Sequence, residues 1–374
     1  MQNKVIGLVN LFTTPDLSPL TDNRPLGSTT FLGRYAFIDF PLSCLCNSNI
    51  NEMGILVRDH QRSLLKHMGP MKDWVSNTKI GKQHIMFNED AIGKPLLNTD
   101  INNIRENDWI LYSSNATQIV IMPAHIIASI DLRPFVDEHI KNASELSIIG
   151  TEVANPSKDY VGEKILEVDD SGNVIGFKDN LGNSSKKAFM SMEIYIINRR
   201  MFGDLITKFA NEFPGLNLQD LIIKLLENKR ITIKSLRFEG FSCCFNSFKT
   251  YMNYSFKMVD LNELQRLFFQ SWPIYTVTHD TPPATYSRDA KVSSSFVSNG
   301  AVIEGTVINS IIGRNVKISK GAVVKNCVIF SGVTVGENAT VNNALIDKYA
   351  IITRSHSVSG TESEPIYIKQ GAFI

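Results

Sequence analysis

The sequence carries no excess of either charge: 38 Lys and Arg face 37 Asp and Glu, a net charge of +1 at pH 7. Bulk electrostatics offers nothing to a phosphate backbone, so nucleic acid is not an expected partner. Long apolar runs are missing too. None approaches the roughly 18 residues that a membrane span needs, so no membrane partner is expected. Met1–Asp16 lacks the basic start and long apolar core of a secretion signal; Val5–Phe12 is short and reads as a strand. Cysteine is scarce. Cys44, Cys46, Cys243, Cys244 and Cys327 are odd in number and contain no C-x-x-C pair. That excludes a disulfide framework and a local zinc motif, and it fits a reducing, cytoplasmic setting.

What is present is an ordinary globular composition, 43% apolar and 20% charged, spread over 374 residues. That length exceeds one small core and implies about two domains. Up to about residue 240, β-like and helix-like runs alternate. Val5–Leu11 and Thr117–Met122 read as buried parallel strands. Leu132–Asn142 and Asn217–Glu227 have helical spacing, with Leu218, Leu221, Ile222, Leu225 and Leu226 on one face. Strand–helix alternation predicts an α/β sheet covered on both faces. Lys249–Phe269 reads as a helix closing this domain, and Pro273, Pro282 and Pro283 punctuate a connection.

From Val297 onward the period changes. Val297, Ile303, Ile312, Ile318, Val324, Val335 and Val341 each have a small or aliphatic companion four residues later: Ala301, Val307, Val316, Ala322, Val328, Ala339 and Leu345. Most of the leading positions are six apart, and Gly or Asn fills many intervening corners. This is a hexapeptide β-helix pattern, in which about three hexads close a triangular coil. Slips between Ile303 and Ile312, and between Val324 and Val335, predict irregular corners. A β-sandwich is the plainer alternative, but it does not explain seven pairs at one offset.

The most informative stretch is Gly33-Arg34-Tyr35-Ala36-Phe37-Ile38-Asp39-Phe40-Pro41-Leu42-Ser43, with Pro19-Leu20-Thr21 and Arg24 before it and Asn47-Ser48-Asn49-Ile50 after it. Over Leu17–Ile50 it resembles, without gaps, the N-terminal signature of the ADP-glucose pyrophosphorylases (glucose-1-phosphate adenylyltransferases). The resemblance implies a Rossmann-like, GT-A-like nucleotidyltransferase domain at 1–245. A connecting helix and linker would follow at 246–285, and a left-handed parallel β-helix of hexapeptide repeats at 286–374. It also implies ADP-glucose synthesis from glucose 1-phosphate and ATP. That chemistry needs backbone amides around phosphates, cations beside them and carboxylates on magnesium.

Those requirements are not met. The family's glycine-rich GGxGxR loop aligns with Leu11-Phe12-Thr13-Thr14-Pro15-Asp16. No glycine remains, and Pro15 removes a donor. Asp16 replaces the catalytic arginine; at about 5 Å from a phosphate, its charge costs about 3 kcal/mol at an effective dielectric near 20. Leu26 replaces a phosphate-directed lysine. Ala124, beside a matching His125, stands where the first magnesium-binding aspartate is expected, and Cys244 stands where the second is. No carboxylate lies between Glu239 and Asp260. The family's GTADA segment has no match between Trp74 and Trp109. The pattern is closest to the family's non-catalytic, GlgD-type regulatory members. It implies no catalytic residues, no metal ligands and no cofactor in this chain, with magnesium required by a catalytic partner.

Arg24 and Arg34 match family arginine or basic positions, so each is a candidate effector or anion contact. Asp39 and His125 read as structural. Ser191-Met192-x-Ile194-Tyr195 resembles a strand near the family's sugar pocket, with Glu193 in place of Gly, and reads as core. Lys178 matches the sugar-phosphate lysine segment poorly. The implied function is modulation of ADP-glucose synthesis for glycogen biosynthesis, in a heterotetramer with the catalytic subunit and under a sugar-phosphate or nucleotide effector. Alternatives are a weakly active adenylyltransferase and a stand-alone sugar-phosphate or nucleotide sensor; a homo-oligomer is open. A hexapeptide acyltransferase would need a histidine in the β-helix, and none occurs from Asp280 to Ser355.

Overall fold

A computed structural model describes residues 4–75, 81–89, 94–269 and 271–374. Part of the span searched for GTADA therefore lies outside the described residues. The chain packs as two compact units. The first comprises 1–28, 37–247 and 270–275, and the second 29–36, 248–269 and 276–374. Among the described residues, no helix is long and apolar enough to cross a membrane.

The first unit is built on strands β1 (Val5–Asn10), β2 (Glu52–Val57), β3 (Lys82–Phe87) and β4 (Gln118–Pro123). A short strand, β5 (Ile126–Ala128), follows. Then come β6 (Leu146–Val153), β7 (Lys164–Val168), β8 (Asn173–Asp179), β9 (Ala188–Asn198), β10 (Ile233–Phe238) and the short β11 (Ser242–Cys244). Among the described residues, nine of these form one sheet in the order β3-β2-β1-β4-β9-β6-β10-β8-β7. The two strands read from sequence pair in parallel, Val5 opposite Gln118 through Asn10 opposite Pro123. The sheet is mixed, because β9 runs antiparallel to both β4 and β6. The short strands β5 and β11 pair apart from it, with Cys244 opposite Ile126.

The two expected helices form as α4 (Arg133–Lys141) and α5 (Leu218–Glu227); before them come α1 (Asp39–Asn47), α2 (Gln61–Met68) and α3 (Asp100–Glu106). Helix α5 buries Leu218, Leu221, Ile222 and Leu225 against the β1, β4 and β6 side chains Ile6, Leu8, Ile119, Ile121, Leu146 and Ile148 of one core. Leu226 packs at its edge.

His139 of α4 is fully buried. Its Nδ1 lies 2.7 Å from Ser147 Oγ and its Nε2 3.1 Å from Gln118 Oε1. The amide oxygen can only accept, so Nε2 carries the proton and Nδ1 accepts from the serine. Burial pushes the ring's pKa down to about 4. The folded state thus binds fewer protons than the unfolded chain between the ordinary value near 6.5 and that figure. The stability is present above pH ~6.5 and is lost as pH falls toward 4, in total about 3 kcal/mol. Urea denaturation across this window should show that slope. His139→Gln, which cannot titrate, should flatten it; an unchanged slope would assign it to other groups.

The second unit holds a short hairpin of Thr30–Phe31 with Tyr35–Ala36. The sequence reading has one helix over Lys249–Phe269 closing the first domain. Two form instead, α6 (Phe248–Lys257) and α7 (Leu261–Leu267), and both belong here. The break has a local cause: Asp260 caps α7 by accepting from the Asn262 amide at 2.7 Å. Tyr251 of α6 donates its hydroxyl to Thr30 O at 2.6 Å, and the Tyr35 and Phe268 rings pack 5.0 Å apart.

The remainder is a parallel β-helix. Ile303 pairs with Ile318, and Ile318 with Val335, so successive coils span 15 and then 17 residues, short of three full hexads. Most of the expected inward positions are core: Ile303, Val307, Ile312, Val316, Ile318, Ala322, Val324, Val335, Ala339, Val341 and Ala301. Val297 is only partly buried. Past the slip, the inward phase differs from the expectation. Cys327 and Ile329 line the core rather than Val328, and Ala344 and Ile346 rather than Leu345. Left-handed corners at Asn326 (φ 52°) and Asn343 (φ 46°) cause the change by turning the chain one residue before the next inward side chain. These corners are stacked. Asn309 Nδ2 donates to Asn326 Oδ1 at 2.8 Å, Asn326 Nδ2 to Asn343 Oδ1 at 3.2 Å, and Asn343 Nδ2 to Gly360 O at 3.2 Å.

Candidate functional site

The loop after β1 is where phosphates are expected, and its first two amides are already engaged. Leu11 N–H donates to Leu56 O at 3.1 Å, and Phe12 N–H to Asn10 Oδ1 at 2.9 Å. The Phe12 ring is 4% exposed and belongs to the core beneath the sheet. Asn10 is itself fixed, since its Nδ2 donates to Asp100 Oδ2 at 2.8 Å. Asp100 also accepts the Ile101 amide at 2.7 Å and the Leu218 amide at 2.8 Å, so one buried carboxylate ties β1 to the starts of α3 and α5. A nest for an incoming anion has become internal wiring.

Asp16 is exposed, and its Oδ1 accepts from Ser18 N at 2.9 Å, Ser18 Oγ at 2.8 Å and Thr21 Oγ1 at 2.8 Å. The bond from the Ser18 hydroxyl, with the others, holds its carboxyl below the usual range, so it stays ionised. It organises the turn and repels phosphate. Leu26 is 1% exposed, inside a short 3-10 turn. Lys178 pairs with Glu167 on the surface. Asp39 is buried in the first turn of α1, with Oδ1 2.6 Å from His67 Nε2, which gives it the structural role expected.

Cys244 ends β11, paired with Ile126 of β5, and Ala124 lies just before β5; both are buried. His125 lies between β4 and β5, and its carbonyl accepts the Phe245 amide at 2.9 Å. The structure adds a residue that sequence reasoning missed. Glu163 follows a tight turn at Tyr160, with its amide donating to Tyr160 O and its carbonyl accepting from Asn180 N at 2.8 Å. Its Oε1 lies 3.2 Å from His125 Nε2 and 3.5 Å from Cys244 Sγ. Glu193 joins them at a bulge in β9, between Ser191 and Ile194, in a left-handed conformation (φ 52°). Its Oε1 accepts from Gln219 Nε2 at 2.7 Å. The strand is core, as read from sequence, but Glu193 itself belongs to this cluster. Burial pushes the Glu193 carboxyl up to about 7, whereas Glu163 lies low despite its own burial because of His125. Burial also drives the Cys244 thiol well above its ordinary range, so it is protonated.

Magnesium requires an octahedron of hard oxygens. Ala124 offers no donor, Cys244 offers sulfur, and the nearest carboxylates are engaged with each other and with His125. The residues present do not fit a magnesium ion, and no phosphoryl-transfer step follows from them.

The second unit carries a cavity of about 370 Å³, lined by Arg34, Tyr35, Phe268, His279, Ser298 and Arg314 among others. Arg34 is exposed, with its guanidinium carbon 5.8 Å from the Tyr35 ring centroid. Arg314 Nη2 reaches Val277 O at 3.4 Å. The other candidate cation, Arg24, lies in the first unit, is 4% exposed and does not line this cavity.

A mixed α/β sheet with a loop at the end of the first strand, followed by a parallel β-helix, defines a nucleotidyltransferase-type protein. Comparison with known families agrees. The nucleotidyl transferase model matches residues 16–237 and a GlmU-like C-terminal hexapeptide model residues 282–364; the chain belongs to the nucleotidyl transferase family. It is 27% identical over 380 residues to the glycogen biosynthesis protein GlgD of Bacillus subtilis (strain 168), covering 99% of this chain and 96% of that one. To GlgD of Geobacillus stearothermophilus it is 28% identical, over 87% and 84% of the two chains. A glucose-1-phosphate adenylyltransferase of Corynebacterium jeikeium (strain K411) is 26% identical, over 89% and 86%.

Proposed function

We propose that the chain is a non-catalytic regulatory subunit of glucose-1-phosphate adenylyltransferase. It modulates ADP-glucose synthesis for glycogen biosynthesis by assembling with a catalytic subunit, which supplies the magnesium site. The observation that carries this reading is the state of the transfer centre. The first two loop amides, of Leu11 and Phe12, are bonded inside the protein, and the two metal positions hold Ala124 and a protonated thiol. A scaffold kept this complete without its chemistry has surfaces, not turnover, to offer.

The cavity with Arg34 and Arg314 supports an anionic effector, a sugar phosphate or a nucleotide. Tyr35 and Phe268 give it an apolar wall, and the guanidinium groups are suited to phosphate oxygens. The test is to titrate the purified chain into a catalytic homologue and to follow ADP-glucose formation and complex mass, with and without glycolytic phosphates. A several-fold change in rate or activation with a defined complex is expected. Arg34→Ala should weaken the effector response about 10-fold, as loss of a charge-assisted contact implies, while leaving assembly intact. Unchanged rate, activation and mass at every ratio would overturn the reading. Effector binding by the isolated chain without assembly would favour a stand-alone sensor.

A further inference from the structure

Three polar side chains from distant parts of the sequence meet in the first unit. A ligand atom of each of His125, Glu163 and Cys244 lies within 4.8 Å of the other two, and all three residues are buried. Two of the edges are short, 3.2 Å from His125 Nε2 to Glu163 Oε1 and 3.5 Å from Cys244 Sγ to the same oxygen. A tetrahedral ion with bonds of about 2.0–2.3 Å to nitrogen, oxygen and sulfur sets its donors about 3.3–3.8 Å apart. The donor spacing is already close to that of such a site.

Two independent observations point the same way. His125 is 2% exposed; its Nδ1 has no hydrogen-bond partner among the described residues, and its Nε2 meets only the Glu163 carboxylate, at 3.2 Å. An imidazole is costly to bury in that condition. Glu193 holds a left-handed backbone that ordinary side chains avoid. The bulge puts its carboxylate beside Glu163 and His125, and Gln219 orients it from behind. A ligating carboxylate is commonly held by an outer hydrogen bond of this kind.

We infer that His125, Glu163 and Cys244, with Glu193 closing the fourth position, form a binding site for a borderline transition-metal dication of the zinc class. The thiolate and imidazole select against magnesium and calcium. On binding, metal–nitrogen, metal–oxygen and metal–sulfur bonds form. The Cys244 thiol proton and those held on Glu193 and His125 leave to solvent, so uptake should weaken in acid. The inference does not depend on the regulatory reading, because it concerns this chain alone.

The test uses untagged, full-length protein stripped of metal. After incubation with zinc and removal of excess ion, elemental analysis should find one zinc per chain. With cobalt(II) substituted, a thiolate-to-cobalt charge-transfer band and tetrahedral ligand-field bands should appear. Cys244→Ser should abolish the charge-transfer band, and Cys327→Ser should leave it. Gln219→Ala, an outer-shell change, should raise the zinc Kd about 10-fold. Circular dichroism of each variant separates loss of ligation from loss of fold. If Cys244→Ser does not fold, the zinc stoichiometry of the unaltered chain and the Gln219→Ala shift decide. No stoichiometric zinc or cobalt in the unaltered chain overturns the site and leaves an ion pair with a buried thiol. A charge-transfer band that survives in folded Cys244→Ser overturns it as well.

Discussion

The isolated chain should form ADP-glucose at least about 10⁴-fold more slowly than a catalytic homologue, at saturating glucose 1-phosphate, ATP and magnesium. Loss of a phosphate-directed arginine alone can cost 10³–10⁵, and loss of an oriented backbone donor about 10²–10³. This chain lacks both, together with the metal ligands. The structure adds that the losses are interlocked. Phe12 is packed in the core and its amide is bonded to Asn10, so the loop cannot reopen without disturbing Asp100. Ala124→Asp or Cys244→Asp alone should therefore restore less than about 10-fold. A coupled assay for pyrophosphate release with the single variants checks this. Full activity in the unaltered chain would remove the basis of the regulatory reading.

Asp100→Ala should destabilise the first unit by about 4 kcal/mol. The carboxylate is 1% exposed and accepts the Ile101 amide, the Leu218 amide and the Asn10 side chain. Truncation strands three buried donors, each costing about 1–3 kcal/mol, offset in part because a buried carboxylate has a desolvation cost of its own. Burial pushes its pKa up to about 6, which is that cost expressed as a proton affinity. Asp100→Asn keeps an acceptor and should lose less than half as much. Chemical denaturation of both variants at pH 7 decides; equal and small losses would show that the three donors find other partners.

The division between what the sequence told and what it hid follows from range. The β-helix was legible because its period repeats locally; its coil length was not, because the corner asparagines set the phase. The departures at Asp16, Leu26, Ala124 and Cys244 were legible because these residues fall at motif positions of the resemblance. The packing of 29–36 into the second unit was hidden, since it depends on Tyr251 and Phe268 more than 200 residues away. The meeting of His125, Glu163 and Cys244 was hidden for the same reason: no ligand spacing connects them. Glu193 did leave a trace, a charged residue where the resemblance has Gly. A positive φ at that position is what the glycine had announced.

The asparagine ladder of the β-helix has a direction. Gly360 O can only accept, so Asn343 must present its NH₂ to it and turn its carbonyl toward Asn326, and the same choice passes back to Asn309. Every amide in the row then points the same way. Aligned amides add their dipoles and polarise one another, as peptide groups do along a helix. The column is thus an electrically polar rod, oxygen end at the earlier coils and hydrogen end at the later ones. One backbone carbonyl at its terminus sets the orientation of side chains three coils away.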